Sequence, residues 1–172
     1  MRRIRPNLGK ISERNLRAMH RALETAKELE RRGQLAESMQ MLETLFQALT
    51  YWEDEGKGTP ELHRIFDDAR RTAARVRGEM ATAVMQGGHW MGGLSLGLDT
   101  VQERTEAFDE ADLQYRVALS ALGGADPFGA IWGLGFLNGI LFLAESEGAS
   151  DLADEMRSRI SDLRSRIMGA AA

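Results

Sequence analysis

The sequence contains no cysteine, which excludes disulfide scaffolds, thiolate zinc sites, iron–sulfur clusters and cysteine nucleophiles. Proline is scarce: of three residues, Pro60 and Pro127 directly follow a capping residue, where proline starts a helix rather than breaking one. Lysine is nearly absent, three against nineteen arginines, a bias that a GC-rich coding genome explains as readily as chemistry. The only histidines are His20, His63 and His89. None stands in a Glu-x-x-His or His-Glu-x-x-His pattern, so helical di-iron and zinc-protease sites are not expected. His63 and Asp67, one helical turn apart, read as a surface pair, because two ligands do not make a metal site. No segment shows sustained strand alternation.

The 172 residues fit one domain, expected over 12–168, and a chain of this size buries roughly 70% of its unfolded surface without help from a metal. Residues 1–11 read as a basic arm and 169–172 as a tail. A net charge of −4 argues against a protein that coats nucleic acid over its whole surface, and leaves room for a local basic patch. The start, MRRIRPNLGKISERN, is positive but has no apolar run behind it. Secretion by a signal peptide is not expected, and a cytoplasmic location is.

What is present is helical grammar. Ser12 caps a stripe of Leu16, Met19, Leu23, Ala26 and Leu29 that ends at Gly33, and a second stripe, Leu35, Met39, Leu42, Phe46 and Leu49, follows at once. So short a link predicts an antiparallel hairpin. After the polar stretch EDEGKGT, Thr59-Pro60 opens a third helix that runs to Gly87-Gly88. Thr100 and Glu103 form a capping box for a fourth, with Val101, Phe108, Ala111, Tyr115, Ala118 and Leu122 as its expected apolar face and Gly123-Gly124 as its end. Asp126-Pro127 opens a fifth. A sixth begins at Ser150, carrying Leu152, Met156, Ile160, Leu163 and Ile167 on one side and Arg164 and Arg166 near its end, where cations suit the helix dipole. The expectation is an all-α fold of about six helices, in an antiparallel bundle or a short array of helical hairpins.

In ALETAKELERRGQLAESMQMLETL, Ala26 and Leu29 stand seven and four residues before the turn glycine. This hairpin resembles the tetratricopeptide type in outline, as does ILFLAESEGASDLADEMRSRI. The resemblance covers about half the chain and implies hairpin stacking by analogy of architecture alone. The sequence departs from the type in its long middle connection, and in Ser38 where the second helix usually has alanine.

Two segments stand out. FGAIWGLGFLNGILFLA, Phe128 to Ala144, is apolar on every side, with Asn138 its only strongly polar residue. The pairs Gly129/Gly133 and Gly135/Gly139 have the spacing that lets helices approach closely. The segment reads as the central helix of the bundle. Its seventeen residues also reach the lower end of what crosses a membrane of roughly 30 Å, so a membrane-associated protein remains an alternative. Asn138 in such a helix needs hydrogen-bond partners, and with the four glycines it is a candidate for setting register within the core or across a dimer axis. The other segment is the connection Met85 to Asp99, where Trp90, Met91 and Leu94 combine large apolar side chains with glycines. It reads either as a docking element for a partner or as a loop closing the core.

Glu103, Glu106 and Glu110 have Asp151 and Asp154 as their nearest possible counterparts for a paired acidic metal site, and read as a solvated face. Arg2, Arg3, Arg5 and Lys10 in the arm, with Arg70, Arg71, Arg75 and Arg77 on the third helix, are candidates for holding phosphate, though no aromatic residue is interleaved with them. No phosphate loop and no nucleophile–base pair is present, so neither catalytic residues nor a cofactor nor a metal is expected. The sequence therefore points to a non-enzymatic interaction protein, an adaptor, chaperone or assembly subunit, with another protein and further copies of itself as partners. A nucleic-acid-binding accessory protein is the alternative.

Overall fold

The computed structural model describes residues 11–89 and 96–170. Six helices follow in order: α1 (Glu13–Arg31), α2 (Leu35–Asp54), α3 (Pro60–Met85), α4 (Val101–Gly123), α5 (Pro127–Ser146) and α6 (Ser150–Ala170). The architecture is all-α, with no strand among the described residues. The caps expected from sequence form. Ser12 accepts from the Asn15 amide, Thr59 from that of Leu62, and Asp126 from that of Gly129. Thr100 accepts from the Glu103 amide while the Glu103 carboxylate accepts from the Thr100 amide, so two donors at the start of α4 are satisfied reciprocally.

The first five helices end alike, each closed by an amide that reaches back five residues: Gln34 to Leu29, Lys57 to Trp52, Gly88 to Ala83, Asp126 to Ala121 and Ala149 to Ala144. This closure places one residue in the left-handed region, where a side chain is strained. Gly33, Gly56, Gly87 and Gly148 take it in four cases. In the fifth, Ala125 does so at φ 58°, although two glycines directly precede it.

By packing the chain divides into two compact units, Met1–Glu79 and Met80–Ala172. In the first, α1 contributes Met19, Leu23 and Ala26 to the core, α2 contributes Met39, Leu42, Leu45 and Leu49, and α3 contributes Leu62, Ile65, Ala69, Ala73 and Val76. Ser38, standing where the tetratricopeptide pattern has alanine, is fully buried and donates to the Ala26 carbonyl at 2.7 Å, which satisfies its hydroxyl. Two ion pairs tie α1 to α3, Lys27 with Asp68 at 2.7 Å and Arg75 with Glu30 at 3.0 Å.

In the second unit α5 is the core helix, with ten buried residues, among them Leu134, Leu137 and Ile140. Among the described residues it is the one helix long and apolar enough to cross a membrane. α6 buries all five of its expected stripe residues. The expected face of α4 turns inward in part, with Ala111 and Ala118 fully buried as read from the sequence. Its buried residues are Ala107, Ala111 and Ala118, whereas Val101 is 74% exposed and Phe108, Tyr115 and Leu122 are only half-buried. The reason lies across the contact. A Cβ on Gly133 would stand 2.9 Å from Ala118 Cβ, and one on Gly129 would stand 2.8 Å from Ala121 Cβ. Backbones this close leave room for methyl groups and nothing larger.

Candidate functional site

The second unit carries a groove of about 490 Å³ formed by the turn after α3 together with α5 and α6. Helix α6 supplies one wall through Arg157, Ser161, Arg164, Ser165 and Met168, and α5 supplies Asn138 and Phe142. Positions 157, 161, 164, 165 and 168 are separated by three and four residues, so one helical face presents them all. The buried Asn138 directs its side-chain amide to the carbonyls of Val84 at 3.0 Å and Gly88 at 2.8 Å. Both amide hydrogens are thereby used, and the exit of α3 is pinned to α5. That exit carries His89, whose ring lies 4.9 Å from the Phe142 ring.

Charge in the groove is unevenly matched. Arg157 pairs with Glu145 at 2.9 Å and with Asp154 at 2.7 Å. Arg164 has no ion-pair or hydrogen-bond partner among the described residues, and its Nε is buried. Among the described residues, the other buried side-chain polar atom without a partner is Nδ1 of His89. Both belong to this one groove. A larger hollow in the first unit, about 610 Å³ and lined by Ile11, Leu16, Thr59, Pro60 and Arg64, contains no such atom.

A polar latch joins α4 to α6 on another face. Arg159 donates to Asp112 at 3.0 Å and to Glu155 at 2.8 Å, the Tyr115 hydroxyl donates to Asp162, and Arg166 donates to Asp162 at 2.8 Å. The hydrogen bond to Asp162, with burial second, pushes the Tyr115 phenol above its ordinary 10.0. The hydrogen bonds from Tyr115 and Arg166 hold the Asp162 carboxyl below the usual carboxylate range. Burial acts to raise Asp112, and the hydrogen bonds from Arg116 and Arg159 outweigh it, so this carboxyl too lies low.

The residues singled out from sequence are dispersed. Trp90, Met91 and Leu94 lie outside the described residues, as do Arg2, Arg3, Arg5 and Lys10. Gly129 and Gly133 face α4 of the same chain, and Gly135, Asn138 and Gly139 are buried. On α3, Arg75 is held by both oxygens of Glu30. Arg70 stacks 4.2 Å from the Phe66 ring and lies 3.6 Å from Asp67, while Arg71 and Arg77 are exposed. His63 Nε2 is 3.6 Å from Glu53. Glu103 is taken up in the capping box, Glu106 accepts from Gln102 and Glu110 from Gln114. No group of three or more His, Asp or Glu able to hold a metal occurs among the described residues. Sequence reasoning missed the groove, although the three- and four-residue spacing from Arg157 to Met168 was a signal for it. Comparison with protein-family models, with curated proteins and with solved structures finds no match, so the geometry alone carries the functional reading.

Proposed function

We propose that this chain is a helical interaction protein, an adaptor or assembly subunit that binds another protein and associates with copies of itself. The observation that carries the reading is the pair Leu113 and Val117 on α4, one helical turn apart and 53% and 51% exposed. Two large aliphatic side chains that share a helix face and stay in water form a small apolar patch that a partner can cover. The phosphate-binding alternative is less well supported, because Arg75 and Arg70 are already engaged by acidic neighbours. The connection holding Trp90, Met91 and Leu94 remains the sequence-based candidate for the partner protein.

Light scattering on the purified protein tests the reading. The expected result is an oligomer for the unaltered chain, and a shift toward the monomer for Leu113→Glu with Val117→Glu, at unchanged helicity. A monomer at every concentration sinks self-association. If Trp90→Ala lowers the unfolding midpoint and leaves association untouched, the docking role of that segment falls with it.

A further inference from the structure

The groove on the second unit presents a positive charge that no acidic side chain among the described residues meets. Arg14, Arg21, Arg64, Arg71 and Arg104 also have no acidic partner among the described residues, but all are exposed and water meets their charge. Arg164 is half-buried, and its Nε is closed off from water. With Nε shielded, the terminal nitrogens of this guanidinium are the donors that a head group in the groove can reach, and no acidic side chain among the described residues pairs with them. The acidic residue among those lining the groove, Glu145, is engaged by Arg157, and the amide hydrogens of Asn138 are engaged by backbone. Ser161 and Ser165, three residues before Arg164 and one after it, offer hydroxyl donors on the same face. Met168, one turn beyond Arg164 on the same helix, and Phe142 on α5 are 65% and 53% exposed.

We infer that the groove binds a small amphipathic anion, a carboxylate or phosphate head with an apolar body. Arg164 holds the head by charge-assisted hydrogen bonds, with Ser161 and Ser165 beside it, and the body lies on Phe142 and Met168. This does not depend on the self-association proposed above, and its test reads a different quantity.

Calorimetric titration of the full chain with phenyl phosphate and with phenylacetate is the experiment, and phenylacetamide and inorganic phosphate are the comparisons. At least one aromatic anion is expected to bind saturably, inorganic phosphate more weakly, and the neutral amide not at all. The tighter of the two anions identifies the head group. Arg164→Gln should weaken binding at least about tenfold, and Arg14→Gln should leave it unchanged. Arg164→Met should abolish binding while its unfolding midpoint without ligand stays level or rises, since the substitution removes an unpaired buried N–H. Absence of saturable binding by both aromatic anions overturns the inference. So does equal binding of phenylacetamide, or unchanged affinity in Arg164→Gln.

Discussion

Replacing a helical glycine by alanine ordinarily stabilises a protein, and the packing of α5 predicts the opposite at Gly133. Removing an interior glycine from a helix favours the folded state by about 1 kcal/mol. Against this, the new methyl would stand 2.9 Å from Ala118 Cβ and 3.2 Å from the Gln114 carbonyl oxygen. Neither atom can turn away, since alanine has no rotamer to change and the carbonyl belongs to the α4 backbone. The two helices must therefore separate, and overpacking of this kind costs about 1–3 kcal/mol. The clash outweighs the propensity gain, so Gly133→Ala should destabilise by about 1 kcal/mol or slightly more, roughly 2–4 °C in midpoint for a chain of this length. Gly78 on α3 supplies the control. A Cβ there would meet nothing within 4 Å, so Gly78→Ala should stabilise by about 0.5–1 kcal/mol. Urea unfolding followed by far-UV circular dichroism measures both. Ala118→Gly added to Gly133→Ala should recover at least about 1 kcal/mol relative to additivity, because it reopens the same space. If Gly133→Ala stabilises as much as Gly78→Ala, or if the double variant is simply additive, α4 and α5 are not in steric contact and the reasoning fails.

Ala125→Gly should raise stability by about 0.5–1 kcal/mol, seen in the same unfolding experiment, because it relieves a left-handed alanine at φ 58°. Asn138→Ala should cost about 2 kcal/mol and loosen the exit of α3, since it leaves the Gly88 carbonyl without the amide that it accepts from; a neutral result in urea would mean that solvent replaces that bond. In a Tyr51→Phe background the remaining phenol, Tyr115, should ionise above 10.0 by absorbance, and its titration should move back toward that value in Asp162→Asn. Its proton is bound more tightly folded than unfolded, so its contribution to stability is complete below pH 10.0 and disappears as pH rises through the folded value. The carboxyls of Asp112 and Asp162 have the opposite sign. Their folded values are depressed from 3.8, so their contribution is present above that pH and is lost as pH falls through the folded values. Removing both by Asp112→Asn and Asp162→Asn should flatten the acid limb of the stability profile, and an unchanged limb would argue that the latch does not form.

The helices were legible because their signals are local. A cap, a turn glycine and a three-to-four spacing each act within a few residues, and Ser12, Thr59, Thr100 and Asp126 cap where the sequence puts them. The inward face of α4 was legible only in part: Ala111 and Ala118 were read correctly, whereas Ala107 was missed and the larger residues are less buried than their size suggests. Val101, Phe108 and Tyr115 outrank alanine on any scale of apolar size, but the partner surface of α5 is glycine, and the distance between helices rather than hydrophobicity chose what fits. Ala125 escaped for a related reason. Gly123 and Gly124 looked like the place where the helix closes, while the hydrogen bond from Asp126 to Ala121 fixes the left-handed residue one step later. The groove was missed because Arg164 has an ordinary local explanation as a cation near a helix end. Its lack of an acidic partner among the described residues is a property of three segments brought together, and no single segment encodes it.

The close fit of α4 has an energetic side effect. Its fully buried set is three alanines, which together remove little apolar surface from water, whereas α5 and α6 each bury several leucines, isoleucines or methionines. Burial of one leucine contributes as much as several such methyl groups. Within the second unit α4 therefore adds its shape against α5 and the latch to α6 to the partly buried area of Phe108, Tyr115 and Leu122. In amide hydrogen exchange it is the helix whose protection should vanish at the lowest opening energy, and earlier still in acid, when Asp112 and Asp162 gain their protons.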